Sequence, residues 1–411
     1  MSDGHQRSPT TPDSTDPLLA YRGEFPILDH TTYLVSNSLG AMPREVPERL
    51  AEYAREWGEL GVRAWSRGWW EMPVRVGDVI APLLNAPANT VVAHPNVSIA
   101  QSMILSALDY GAGRDTIVMT ELDFPSVLYA YEGLARRLGA RIVVVPSDDG
   151  LTIDHDRLLA AIDERTRLVA ISHVLFRSAF IQDADAICEH AHRMGAYVAL
   201  DAYHSVGIVP VDVQRSGVDF LTGGVLKWLC GGPGAAFLYV APQVRDVLEP
   251  TLTGWQAHAR PFAFEGEMEY AIGAQRWLTG TPVIPALFAA TAGPEIVARA
   301  GMDAIRAKSM RQTQWLIDAA ESRGYRVHAP RDPSRRGGTI AFDVPHGHEV
   351  AQHLIANDII VDYRVGAGIR VAPHFYTRDD ELATCVDAID DCLASGAWKA
   401  HVAAARSAVV T

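Results

Sequence analysis

Cysteine is scarce in this 411-residue sequence: four residues, Cys188, Cys230, Cys385 and Cys392. That argues against a disulfide-built scaffold and fits a reducing compartment. Positive charge is also in short supply, with 36 Lys and Arg against 49 Asp and Glu and a formal net charge of −13. A balance of that sign argues against a nucleic-acid groove or an anionic membrane as the main partner. No apolar run approaches the roughly 20 residues of a membrane-spanning helix, and no signal-peptide core opens the chain. The expectation is a cytoplasmic protein. Repeats of solenoid length are absent as well.

What the sequence does have is enough apolar content, 48% of residues, to bury a large core. Residues 1–16, MSDGHQRSPTTPDSTD, carry almost no hydrophobes and read as a tail that cannot offset the entropy of ordering. From TIVMTELD onward, short β-branched runs alternate with amphipathic stretches: SVLYAYEGLARRLG, RIVVVP, DHDRLLAAID, RLVAISH, ADAICEHAHRMG and YVALDAYHS. That alternation predicts an α/β fold, a mainly parallel sheet sandwiched by helices. Beyond residue 283 the pattern changes to one long helix, then the short strands GGTIAFDV, IIVDY and GIRVAP and a closing helix, a smaller α+β domain. The expected division is a tail over 1–16, a segment over 17–60 packing with the small domain, a large domain over 61–282 and a small domain over 283–411.

In open α/β sheets ligands bind beyond the carboxyl ends of the strands, which singles out Ser126, His173, Asp201, His204 and Lys227. Three of these fit the needs of pyridoxal phosphate: a lysine for a Schiff base, an acid for the pyridine nitrogen, and a neighbour for the ring. Asp201 closes the strand YVALD, His204 follows three residues later, and Lys227 sits between DFLTGG and a Gly-rich turn. Any one alone is more often a helix cap or a solvated charge; their succession is what carries the reading. Cys188, His190 and His192 have metal-like spacing, but only Cys188 and His192 share a helix face, so no metal site is expected. GGPG at 231–234 lacks the Lys-Ser/Thr and helix of a phosphate loop and reads as a turn.

The stretch LDAYHSVGIVPVDVQRSGVDFLTGGVLKWLCGGPGAAFLYV resembles the cofactor-binding core of the class V aminotransferase superfamily, and within it the kynureninases. NSLGAMP at 37–43, DFPSVLYAYEGL at 123–134, LTGWQAHARPFAF at 252–264, RWLTGTPVI at 276–284 and GIRVAPHFY at 368–376 continue the resemblance over about residues 25–395. It implies a fold-type-I, pyridoxal-phosphate-dependent homodimer with active sites at the subunit interface and an amino-acid substrate. By the same resemblance Lys227 carries the cofactor and moves protons, Asp201 pairs with the ring nitrogen and His204 lies near the ring. Phe124 stacks on it, and Asn96, Val97, Ser98 and Ser126 belong to the phosphate side. Trp255 and Thr281 approach the phosphate, Thr281 from the neighbouring subunit, while Arg370 and Asn37 bind substrate, Arg370 as the clamp on the α-carboxylate.

The departures from the kynureninase pattern are all in the pocket. Val97 stands where a second hydroxyl residue is usual, Val127 for Asp, Leu226 for Tyr, and Leu175, Phe176 and Arg177 for an Asn-Tyr-Lys-like stretch. Each apolar replacement removes a hydrogen-bonding group of roughly 1 kcal/mol. The expectation is an enzyme that breaks a Cβ–Cγ or Cβ–S bond of a specialised substrate, such as a cysteine S-conjugate in natural-product biosynthesis. Kynurenine hydrolysis, decarboxylating deamination, transamination and a non-catalytic binding protein of the same fold are the alternatives. A nicotinamide dehydrogenase is discounted, because no Gly-x-Gly-x-x-Gly turn follows any strand.

Overall fold

The computed structural model describes residues 16–111 and 113–402, so residues 1–15 of the expected tail over 1–16 lie outside the described residues. Asp16, the last residue of that segment, is anchored: its side chain accepts from Leu18 N and pairs with Lys308 at 2.7 Å.

The first strand, β1 (Thr32–Tyr33), is only two residues long. Then come β2 (Val91–His94), β3 (Thr116–Thr120), β4 (Arg141–Val145), β5 (Thr166–Ser172), β6 (Tyr197–Asp201), β7 (Phe220–Gly224) and β8 (Ala236–Val240). These seven form one sheet in the order β2-β8-β7-β6-β5-β3-β4. The five strands from β4 to β7 are parallel, and β8 and β2 close the other edge in antiparallel pairing. Residues of β3, β7 and β8 are buried on both faces, as their unbroken apolar or small-residue runs require. Only β4 at the edge exposes part of itself. Helices such as Pro125–Leu138 and Ala184–Arg193 cross between parallel strands, each started by a proline or an Asp cap. The α/β class expected from the alternation is the class found.

The smaller unit contains β9 (Ile340–Phe342), β10 (Ile359–Ile360), β11 (Asp362–Arg364) and β12 (Gly368–Val371), backed by the helices Met302–Ser322 and Asp379–Ser395. Here β11, β12 and β9 form an antiparallel sheet, and β10 pairs in parallel with β1. Its apolar core, with Leu316, Phe342, Leu354 and Ile389, takes in Leu34 from the far end of the chain. Residues Phe375 and Tyr376, conversely, pack into the core of the large unit.

The single long helix expected after residue 283 is three: Ile284–Ala290, Ala292–Ala300 and Met302–Ser322. Pro294 has no N–H for the carbonyl of Ala290, so the first break follows from its ring chemistry. Gly301, at φ +84°, supplies the left-handed residue that ends the second helix.

Gly40 is where the N-terminal segment touches the lysine loop. Its N–H donates to Leu226 O, and a Cβ there would lie 2.2 Å from the carbonyl oxygen of Lys227. Gly58, inside the helix Val46–Leu60, has open space around it. The same substitution should therefore act with opposite signs. Gly40→Ala is expected to destabilise the chain by about 1–3 kcal/mol through overpacking, and Gly58→Ala to stabilise it by about 0.5–1 kcal/mol through helix propensity. Urea unfolding of the two variants checks this; a Gly40→Ala midpoint equal to that of the parent would contradict the close approach.

Candidate active site

Ser172 and Asp201 close their parallel strands, and Thr222 stands beside Asp201 in register two residues before the end of β7. Beyond them opens a cavity of about 230 Å³ lined by Asn96, Val97, Ser98, Phe124, Ser126, Val127, Asp201, Tyr203, His204, Leu226 and Lys227. Sequence reasoning brought most of these to one place; Tyr203 it passed over.

Three buried titratable groups set the electrostatics. Lys227 follows β7, and its Nζ lies 2.6 Å from His204 Nε2. Burial drives the lysine down to about 7, with Arg370 adding to the effect and Asp201 opposing it. Burial and the Lys227 charge hold His204 well below the ordinary imidazole range. The imidazole is therefore neutral near pH 7, and its Nε2 shares a hydrogen bond with Nζ. Asp201 is pushed up to about 6, mainly by burial. Among the described residues its carboxylate takes one hydrogen bond, from Tyr203 N at 2.9 Å. A buried carboxyl so incompletely satisfied is suited to a cationic N–H donor.

Around them the walls are mixed. The Asn96 side chain accepts from Ile99 N and caps the helix Val97–Ser106, so the amide is occupied by the helix. The N–H groups of the first turn remain as the anion-binding feature at the cavity edge. Lys227 Nζ sits 4.7 Å from the Tyr203 ring centroid and 5.4 Å from that of Phe124. Phe124 meets Phe176 edge to face at 5.2 Å. Behind the cavity, Tyr131 donates to Gln101 Oε1 and Gln101 Nε2 to Thr222 Oγ1, both at 2.7 Å.

Asp123 is a second group that the sequence reading missed. It is buried, accepts from Thr120 N at 2.7 Å and Ser172 N at 2.6 Å, and so ties the ends of β3 and β5 together below the site.

Other expected residues fall elsewhere. Trp255 and Thr281 do not line the cavity of their own chain. Trp255 packs against Trp70 and Phe262 with its Nε1 donating to Pro261 O, and Thr281 borders a separate small cavity with His94 and Gln256. Asn37 is 1% exposed, and neither atom of its amide has a partner among the described residues. Arg370 is held in a buried ion pair with Asp362, Nε to Oδ1 at 2.7 Å and Nη2 to Oδ2, while Nη1 donates to Phe176 O at 2.9 Å. The ionic partner lay eight residues upstream, on the strand that pairs with its own. Cys188 is buried, His192 pairs with Asp219 at 2.9 Å, and no group of three metal-ligating side chains occurs among the described residues.

An amine of lowered basicity, a buried carboxyl with one donor among the described residues and a helix N-terminus, all on one cavity, fit the three demands of pyridoxal phosphate. Comparison with known proteins agrees. The family model of class-V aminotransferases matches residues 32–381. A kynureninase of Burkholderia mallei is 34% identical, with 97% of each chain covered. Among solved structures, a lysine-to-alanine variant of C-DES with glycine covalently linked to its PLP cofactor superposes with a TM-score of 0.82 at 23% identity, covering 93% of this chain and 100% of that one. The cystine C–S lyase C-DES in complex with its reaction product cysteine persulfide gives 0.80 at 23%, covering 89% of this chain and 99% of that one. The fold is thus that of the fold-type-I enzymes, and the chain belongs to the aminotransferase class-V family, among its kynureninase-like members.

Proposed function

We propose that this chain is a pyridoxal-phosphate-dependent enzyme that breaks a bond at Cβ of an α-amino acid, Cβ–Cγ or Cβ–S. The observation that carries the reading is the placement of Lys227, His204 and Asp201 on one cavity with an apolar wall. When bound, pyridoxal phosphate supplies an electron sink for charge developing at Cα. Lys227 would hold it through Nζ, Asp201 would face its ring nitrogen, and the first turn of Val97–Ser106 with Ser126 would take the phosphate. Phe124 and His204 would border the ring.

Lys227 Nζ, which burial leaves able to shed its proton from about pH 7, then accepts the Cα proton of the substrate and returns it at the carbon that needs it. His204 Nε2, hydrogen-bonded to the amine, keeps Nζ oriented and stays uncharged. Arg370 reads the α-carboxylate, with the amide of Asn37, which has no partner among the described residues, as a second donor. Val127 and Leu226 give the wall no hydrogen-bonding side chain, which favours an apolar or sulfur-bearing Cβ substituent. A specialised substrate such as a cysteine S-conjugate is the form we favour. Kynurenine hydrolysis is the second reading, supported by 34% identity along nearly the whole chain. A homodimer is part of the proposal: Trp255, Phe262 and Phe264 pack against one another and expose apolar surface together, and Thr281 lies outside its own chain's cavity, where it could serve a neighbour's.

Holoenzyme incubated with kynurenines and with cysteine S-conjugates, its products identified by mass spectrometry, tests the substrate. A thiol, a keto acid and ammonia from an S-conjugate, with one water consumed, are the expected products; anthranilate formed at ordinary enzymatic rates would favour the second reading. A pH experiment tests the amine. Covalent attachment of added pyridoxal phosphate to the cofactor-free chain should speed up as pH rises through about 7 and then level off, because the deprotonated form of Lys227 is the reactive one. A rate still climbing near the ordinary lysine value of about 10 would refute the lowered basicity. Lys227→Ala should give no borohydride-fixed adduct at all. For Arg370→Met, spectral titration should show amino-acid binding weakened by about 2–5 kcal/mol with the decarboxylated amine unaffected. Equal losses for acid and amine would remove Arg370 from the carboxylate.

A further inference from the structure

Asp362 is wholly buried, lies between two arginines and belongs to no part of the chemistry described so far. Its two oxygens occupy the Nε–Nη2 edge of Arg370, one bond each. Phe176 O occupies one N–H of Nη1. A guanidinium has five N–H bonds. Three are therefore engaged among the described residues; one N–H on Nη1 and one on Nη2 remain, and with the Nε edge taken these two terminal nitrogens can present an end-on fork. That fork is the geometry that grips a carboxylate with two parallel bonds.

The anchors also fix where the fork is presented. Asp362 and Arg370 face each other on the paired strands β11 and β12. Phe176, whose carbonyl is the third anchor, packs its ring on Phe124 in the wall of the cavity. Arg370 is thus pinned between the small unit and the cofactor wall, and Arg364 Nη2 approaches the same Oδ2 of Asp362 at 3.4 Å.

Resting on the reading of Arg370 as the carboxylate receptor, we infer that Asp362 is its positioning residue: it occupies the side edge of the guanidinium so that only the end-on fork is offered to the substrate. The carboxylate has two possible effects of opposite sign. As a charge, it weakens the attraction for an incoming anion; as an anchor, it strengthens binding by fixing the donors in advance. The buried, doubly bonded geometry makes the anchor the larger effect.

The opposite signs make the test decisive. Asp362→Asn keeps the shape and removes the charge and one acceptor. L-alanine and ethylamine, which differ by the carboxylate, are titrated into holoenzyme while the visible absorbance of the cofactor is followed. The apparent Kd for alanine should rise about 10- to 100-fold, the loss expected for a misplaced binding group, with ethylamine and cofactor affinity unchanged. Unchanged or tighter alanine binding would overturn the inference, since it would mean that Asp362 acts only as a charge or not at all. Should Asp362→Asn fail to fold because Arg370 is stranded, the double variant Asp362→Asn/Arg370→Met removes that cation. Its alanine affinity should equal that of Arg370→Met; a further loss would mean that Asp362 acts through some other group. If Arg370→Met itself leaves the preference for alanine over ethylamine intact, the carboxylate assignment fails. If it abolishes that preference while Asp362→Asn does not, only the role of Asp362 falls.

Discussion

A lysine taken out of water must lose its proton or find an anion, and the chemistry of this protein follows from how the sheet imposes that choice on Lys227. Asp201 lies on the same cavity, but its influence is outweighed by burial and by the positive charge of Arg370. The amine is left near neutrality, His204 is kept uncharged beside it, and Asp201 is left with one donor where a carboxylate wants several. All three side chains sit in conditions that suit a positively polarised ring held among them. Such sites store part of a protein's stability as unsatisfied demand, which a ligand then meets.

The sheet makes this possible through hydrogen bonds that take no part in catalysis. Asp123 bonds the ends of β3 and β5, and Tyr131, Gln101 and Thr222 form a relay behind β7. Polar chains that are fully paired in a low-dielectric interior are stiff. They hold the strand ends that carry Asp201 and Lys227 at fixed spacing, so the cavity keeps its form.

How much of this could be read in advance depended on the range of the interaction. The parallel strands, the crossover helices and the positions of Asp201, His204 and Lys227 are local: periodicity and strand ends declare them. The breaks at Pro294 and Gly301 are local too, but an apolar run across 284–322 masks them until the missing N–H and the left-handed turn are considered one residue at a time. Pairing is different. Nothing near Arg370 announces that Asp362 fills one edge of it, because that depends on the register of two strands joined by a short turn. Nor does sequence spacing show that Asn96 spends its amide on a helix cap, or that Trp255 turns to Trp70 and Phe262. Tyr203 was overlooked because its neighbours in the tripeptide Ala-Tyr-His carry the more familiar chemistry.

The exchange of residues between the two cores has a consequence for how the chain comes into being. Leu34 completes the apolar interior of the small unit, and β1 pairs with β10 more than three hundred residues later. During synthesis from the N-terminus this early strand therefore has no partner until nearly the whole chain has emerged. Closing so long a loop is slow relative to local pairing. The segment Thr32–Val35 must wait, unpaired and apolar, while the large sheet forms around it. Docking it is the step that brings Gly40 to the lysine loop, so the site is among the last parts of the molecule to mature.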